Sequence, residues 1–257
     1  MEPIIVSLVY YCCVVTFCEL SRRFIDVLGV RQPILRHALF EFFGTLQVCT
    51  CVYENHLVTK NFGLKGFFLV VFLLLNIHRM VNRGAFISPA VALERLLSSG
   101  ISVFHFVVVF WAQILGALCA FRLARRIWWI ELSETHAHQA VNFDCVLSFK
   151  GPVFALIFYE FCVCFVLRTC IGIASRKNPR FSPILAAVLF ATALSSEILF
   201  FGVAGLNPII AFSRLFGCKG LNNIDHFVIF WFPAITGWLL AFFIDRSRIM
   251  ISGLKKD

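Results

Sequence analysis

Charge is scarce in this chain: only 14% of its 257 residues are Asp, Glu, Lys or Arg, too few to coat a soluble globule of that length. Proline and glycine are also sparse, at 8 and 15 residues, which excludes collagen-like and low-complexity sequence. Acidic residues number 14 against 23 basic ones. The basic residues stand in clusters between apolar runs and form no single stripe, so the excess does not point to nucleic acid. Signatures of catalysis are missing too. No Walker loop, dinucleotide fingerprint, nucleophile elbow or zinc pattern occurs in the context it requires, and no catalytic residue, cofactor or metal site is assigned.

Apolar residues fill the space: they make up 60% of the chain, 31 of them Phe, and mean hydropathy is +0.87. Most of the surface must face lipid. Apolar runs fall at about 3–20, 38–57, 62–80, 101–123, 152–174, 182–204 and 226–245, each near the ~20 residues that a ~30 Å hydrocarbon core demands of a helix. The first, bounded by Glu2 and Glu19, is the weakest. It starts Met1-Glu2-Pro3 and lacks the basic start and small-residue cleavage site of a signal peptide, so it reads as retained, lying at the interface or crossing. Most of the 11 cysteines lie in or beside these runs and behave as small hydrophobes. Cys145 and Cys218 alone fall in polar stretches, and they are the one pair considered for a bridge in an oxidising lumen. His136 and His138 read as residues of a solvated loop, and His105 and His226 as interface anchors that open equivalent spans.

The last six runs contain an internal repeat. Phe40-Glu41-Phe42-Phe43 opens one half and Tyr159-Glu160-Phe161-Cys162 the other, each placing a carboxylate in an apolar helix. The interval from Glu41 to Ser88-Pro89-Ala90 equals that from Glu160 to Asn207-Pro208-Ile209, and His105 through Gly116 is matched by His226 through Gly237. Three spans per half is an odd number of crossings, so the second half is inverted relative to the first. With the residues before Arg36 on the cytoplasmic side, Arg79, Arg83, Arg95, Arg168, Arg176 and Lys177 fall on that side as well, as the positive-inside rule expects; Arg122, Arg125 and Arg126 run against it.

Between the spans lie two short segments, 89–97 and 208–216. Ser88 or Asn207 at the cap, proline at the first helical position and glycine soon after the end mark each as a helix. Nine residues rise about 14 Å, half the ~30 Å core. Entering from opposite faces, the two meet near the midplane. Such segments persist at that depth only inside protein or along water. Their N-termini, each carrying roughly half an elementary charge, converge and repel cations, while Asn207 offers an amide to a passing oxygen.

These elements resemble the aquaporin family of major intrinsic proteins. Phe110-Trp111-Ala112-Gln113-Ile114-Leu115-Gly116 and Trp231-Phe232-Pro233 add to the likeness, which extends over about residues 36–246. The resemblance implies an all-α membrane fold of six transmembrane helices plus two re-entrant half-helices, with the extra N-terminal segment outside it. It also implies a pore in each subunit of a homotetramer, with Glu41 and Glu160 bracing the inserted loops. The pore motif is carried by Ser88, Pro89, Ala90, Asn207, Pro208 and Ile209. Family spacing places Phe68, Ser195, Ala204 and Ile210 at the selectivity constriction.

Departures matter. Ser88 stands where the family has Asn, and its hydroxyl is expected to cap the half-helix. Ile210 stands where the family has the filter arginine, and Ala211 where glycerol-conducting relatives have Asp. Together with Cys218, nine residues past Ile209, these changes resemble the unorthodox or superaquaporin branch. That likeness implies an intracellular membrane, notably the endoplasmic reticulum, with the plasma membrane as the other location; the tail Leu254-Lys255-Lys256-Asp257 resembles a dilysine retrieval signal. The expected organisation is an N-terminal segment and basic linker (1–35), a channel domain (36–246, in halves 36–125 and 150–246) and a cytoplasmic tail (247–257). The expected partners are water, small neutral solutes such as glycerol or hydrogen peroxide, and the bilayer. A non-conducting scaffold and a seven-span receptor stay open as alternatives.

Overall fold

The computed structural model describes residues 2–254, with side chains through 248; the dilysine-like tail lies outside the described side chains. Helix α1 spans Pro3–Val27 and α2 spans Pro33–Val81, both with proline in the first turn. Forty-nine residues in one helix would reach about 74 Å, more than twice the core. Gly63 breaks it, at φ 64° and ψ −164°, a backbone that only glycine adopts without strain. The arms before and after Gly63 run side by side, so that Gln47 Nε2 meets His78 Nδ1 at 2.6 Å, with Gly63 midway between them in sequence. Two crossings result from one element.

After α2 come the short α3 (Pro89–Leu97), the span α4 (Val103–Trp128) and the short α5 (Glu134–Asn142). The second half repeats the order: α6 (Val153–Lys177) and α7 (Ser182–Phe201) cross, α8 (Pro208–Leu215) is short, and α9 (Asn223–His226) runs through a π-helical turn at Phe227–Trp231 into α10 (Phe232–Leu254). Helix α8 is one residue shorter than the expected 208–216, because Phe216 is already extended and Gly217 takes φ 76°. No strand forms among the described residues; an isolated bridge joins Val146 to Lys219.

Long helices pack by bringing backbones together at small residues, the usual device where lipid removes the hydrophobic drive between helices. A Cβ added at Gly116 of α4 would lie 2.6 Å from the Phe42 carbonyl, and one at Gly237 of α10 would run into the Phe161 carbonyl. The two contacts occupy equivalent places in the two halves. Outward faces carry bulky apolar residues such as Phe104, Phe154, Phe158 and Phe232, each well over half exposed, as a lipid-facing belt requires.

Helix α1 is long and apolar enough to cross a membrane. It lies antiparallel to the first arm of α2: Ser7 Oγ donates to Glu54 at 2.7 Å, Tyr10 Oη to the Thr50 carbonyl at 3.0 Å, and Arg22 Nη2 to Gln47 at 2.6 Å. Glu54 is fully buried and also accepts Trp128 Nε1 at 3.1 Å. His136 corrects an expectation. It is buried 3.1 Å from Glu54, not solvated, because α5 turns its side chain inward, beside the ring of Tyr10. His226 is likewise buried, among the rings of Phe216, Phe227 and Phe230, and does not anchor at an interface.

Candidate functional site

Two loops lead into the half-helices, and two sets of carboxylates hold them. The backbone N–H groups of Phe86 and Ile87 both donate to Glu41, the second at 3.0 Å, and Gln113 Nε2 adds a third bond at 3.0 Å. At the matching places of the second loop, Leu206 N–H donates to Glu160 at 3.0 Å and Gly205 N–H to Glu197 at 2.9 Å. Glu41, Glu160 and Glu197 are fully buried, a placement that costs several kcal/mol unless such donors satisfy the oxygens. The loops need this grip. Ile87 and Leu206 sit at φ 54° and 58°, a left-handed backbone that costs a non-glycine residue about 1–3 kcal/mol.

The half-helices α3 and α8 then meet head to head. Asn207 Oδ1 accepts the Ile209 N–H at 3.2 Å, and Asn207 Nδ2 donates to the Ile87 carbonyl at 2.8 Å. One side chain thus caps its own helix and ties it to the opposite loop. Ser88 does not mirror this: its hydroxyl makes no capping bond to α3, contrary to expectation, although Ser102 and Ser133 cap α4 and α5 with the same group. At its far end, α3 is fastened on the basic side, where Glu94 receives both Arg168 Nε and Nη2 at 2.8 Å and Trp238 Nε1 at 2.6 Å. The far end of α8 is fastened on the other side, where Cys145 and Cys218 form a disulfide beside the Val146–Lys219 bridge.

A cavity of about 1000 Å³ threads between these parts. It runs from Arg79 and Trp238 at the basic mouth, past Ser88 and Asn207, to His56, Asn142 and Arg214 at the other. Among the residues expected in the pore, Ser88, Ala90, Asn207, Ala204 and Ile210 lie on its wall. Pro89, Pro208 and Ile209 are buried behind it, shaping the turn without facing the space. Phe68 and Ser195 are not among the residues that line it. Phe67, Val71, Leu194 and Ile198, their neighbours in sequence, do line it. One helical position is a rotation of about 100°, enough to turn Phe68 into the packing around Phe67, Val71 and Ala191. Ser195 instead spends its hydroxyl on the Ala191 carbonyl at 2.7 Å.

Sequence reasoning missed Glu197, Glu54 and Arg22. A signal existed for the two glutamates, since an ionisable residue inside an apolar run is costly and calls for a partner; Arg22 lies just past the first run and carried none. No group of three or more His, Cys, Asp or Glu that could hold a metal occurs among the described residues.

Comparison with known proteins agrees with this architecture. The family model "Major intrinsic protein" matches residues 57–244. "Putative aquaporin-10" of Caenorhabditis elegans is 32% identical, with 99% of this chain and 91% of the relative aligned. "Aquaporin-11" of Milnesium tardigradum is 24% identical over 98% of this chain and 90% of its own length. Among solved structures, the aquaglyceroporin from Plasmodium falciparum superposes with a TM-score of 0.60 at 17% identity, over 86% of this chain and 99% of that one.

Proposed function

Since the chain belongs to the major intrinsic protein family and is a membrane channel for water and small solutes, we propose that it passes water and neutral solutes such as glycerol or hydrogen peroxide passively and in both directions. The single observation that carries this reading is the bond from Asn207 to the Ile87 carbonyl. It fixes two helix N-termini against each other on the wall of a cavity that reaches both mouths. Two converging positive ends raise the energy of any cation between them and leave uncharged molecules unhindered. Conduction needs no catalytic step.

The conducting unit is residues 36–246, with α1 and its basic linker as an added crossing and 247–257 as a cytoplasmic tail. Ser88, Ala90 and Asn207 form the central contact, Glu41 and Glu160 brace it, and Ile210 with Ala204 lines the narrower part. Phe67 lines the same cavity. An intracellular membrane, first the endoplasmic reticulum, suits a disulfide on the side away from the basic residues. The family resemblance supports a homotetramer.

Stopped-flow light scattering on proteoliposomes tests conduction. An osmotic step should shrink vesicles carrying the protein faster than empty ones, with a low activation enthalpy. Equal rates would defeat the reading and leave a non-conducting scaffold.

A further inference from the structure

Ile210 leaves the wall of α8 without charge, yet a cation stands one turn nearer the mouth. Arg214 follows Ile210 by four residues, so both lie on one face of α8 about 6 Å apart along the axis, and both line the cavity. Its guanidinium is held between two rings: Cζ is 5.6 Å from the centroid of Tyr53 and 5.5 Å from that of Phe143. Such stacking fixes the plane of an arginine side chain. Tyr53 is itself anchored, donating to the Ser213 carbonyl at 2.5 Å. Phe143 belongs to the segment that the Cys145–Cys218 disulfide fastens to the end of α8.

The charge has no acidic partner. Among the described residues Arg214 makes no ion pair, and the one acceptor it reaches is Cys145 Sγ, 3.8 Å from Nη1. Asp144, the carboxylate on this part of the wall, pairs with Lys219 at 3.3 Å instead. A guanidinium has five N–H donors. With protein oxygens absent, water or a solute oxygen in the cavity is what they can bind.

We propose that Arg214 is the specificity-determining residue of this channel: a fixed cation at the mouth opposite the basic side, which turns away cations and sorts neutral solutes by offering a rigid fork of donors. Ile210, one turn deeper, then presents an apolar step that a hydrated anion drawn in by Arg214 does not cross. The two tasks of charge rejection and narrowing are divided between successive turns of α8. The inference rests on the conduction reading above.

Proteoliposomes carrying the wild type, R214A or R214K separate the outcomes. Osmotic shrinkage reports water, glycerol-driven reswelling reports solute, and a trapped pH dye reports proton leak. R214A should raise proton leak relative to water permeability about tenfold, the factor that about 1.4 kcal/mol of lost repulsion gives. R214K, which keeps the charge and folds without a new buried gap, should hold the leak at wild-type level and raise glycerol flux, because an ammonium lacks the planar fork. Wild-type leak and glycerol flux in both variants, with water still conducted, overturn the assignment to Arg214 and leave conduction standing. If R214A does not assemble, R214K with unchanged glycerol flux overturns it alone. A wild type no faster than empty vesicles defeats conduction itself, and the assignment with it.

Discussion

The two halves of the repeat solve one problem in different ways. Each must hold a strained loop whose consecutive N–H groups point into a buried site, and in the first half Glu41 accepts both. In the second, the task is split between Glu160 and Glu197. Glu197 has a counterpart at the same repeat position in the first half, and it is His78. Freed from the loop, His78 bonds Gln47, and Gln47 bonds Arg22 of α1. The added helix is therefore attached through the position that the other half spends on bracing. An inverted repeat tolerates this kind of divergence, since each half needs only that its own donors be satisfied.

The comparison predicts unequal damage. Glu41→Leu should be the most harmful single change, because it leaves the N–H groups of Phe86 and Ile87 and the amide of Gln113 without an acceptor. At about 1–3 kcal/mol for each stranded buried group, the loss is several kcal/mol, enough to remove assembled protein from a detergent gel-filtration profile. Glu160→Leu strands Leu206 and removes the side-chain hydrogen bond that Glu160 shares with Glu197, while Glu197 still holds Gly205. It should lower the thermal midpoint and leave folded channel. Equal losses from the two would mean that the halves do not divide the work as described.

A second asymmetry lies at the far ends of the half-helices. Helix α8 is secured covalently, α3 by the Glu94–Arg168–Trp238 cluster. Cys218→Ser, or reduction, should cost about 2–4 kcal/mol for a bond closing so long a stretch of chain, read as a lower thermal midpoint for the wild type alone when dithiothreitol is added. An unchanged midpoint would take the staple out of the account. Arg168→Leu should cost somewhat less and be insensitive to reductant, since it breaks a partly exposed ion pair.

Much of this fold was legible because its signals are local. A cap residue followed by proline marks each half-helix, and the shared interval from Glu41 to Ser88 and from Glu160 to Asn207 fixes the order of parts. The course of α1 was not legible. Its apolar run is short, and what sets it against the first arm of α2 is a set of polar partners, Glu54, Gln47 and Asn55, that lie far along the sequence. Wall positions were harder still. Choosing Phe67 over Phe68 needs the rotation of a helix about its axis, and a continuous apolar run such as 67–75 carries no polar face to set that angle.

The smallest effect sharpens the comparison most. Asn207 reaches the Ile87 carbonyl, and the repeat places Leu206 where Ile87 stands in the other half, so an asparagine at 88 should reach the Leu206 carbonyl in the same way. Ser88 makes no such bond and caps nothing. Ser88→Asn therefore adds a cap and a tie across the midplane, and should raise stability by about 0.5–1.5 kcal/mol, the net worth of one intramolecular hydrogen bond. A thermal shift of a few degrees upward, with water permeability kept, would mean that the first half has the geometry an asparagine at 88 needs. A downward shift would mean that the loop has closed around the smaller side chain, and that the symmetry of the backbone no longer extends to the space beside residue 88.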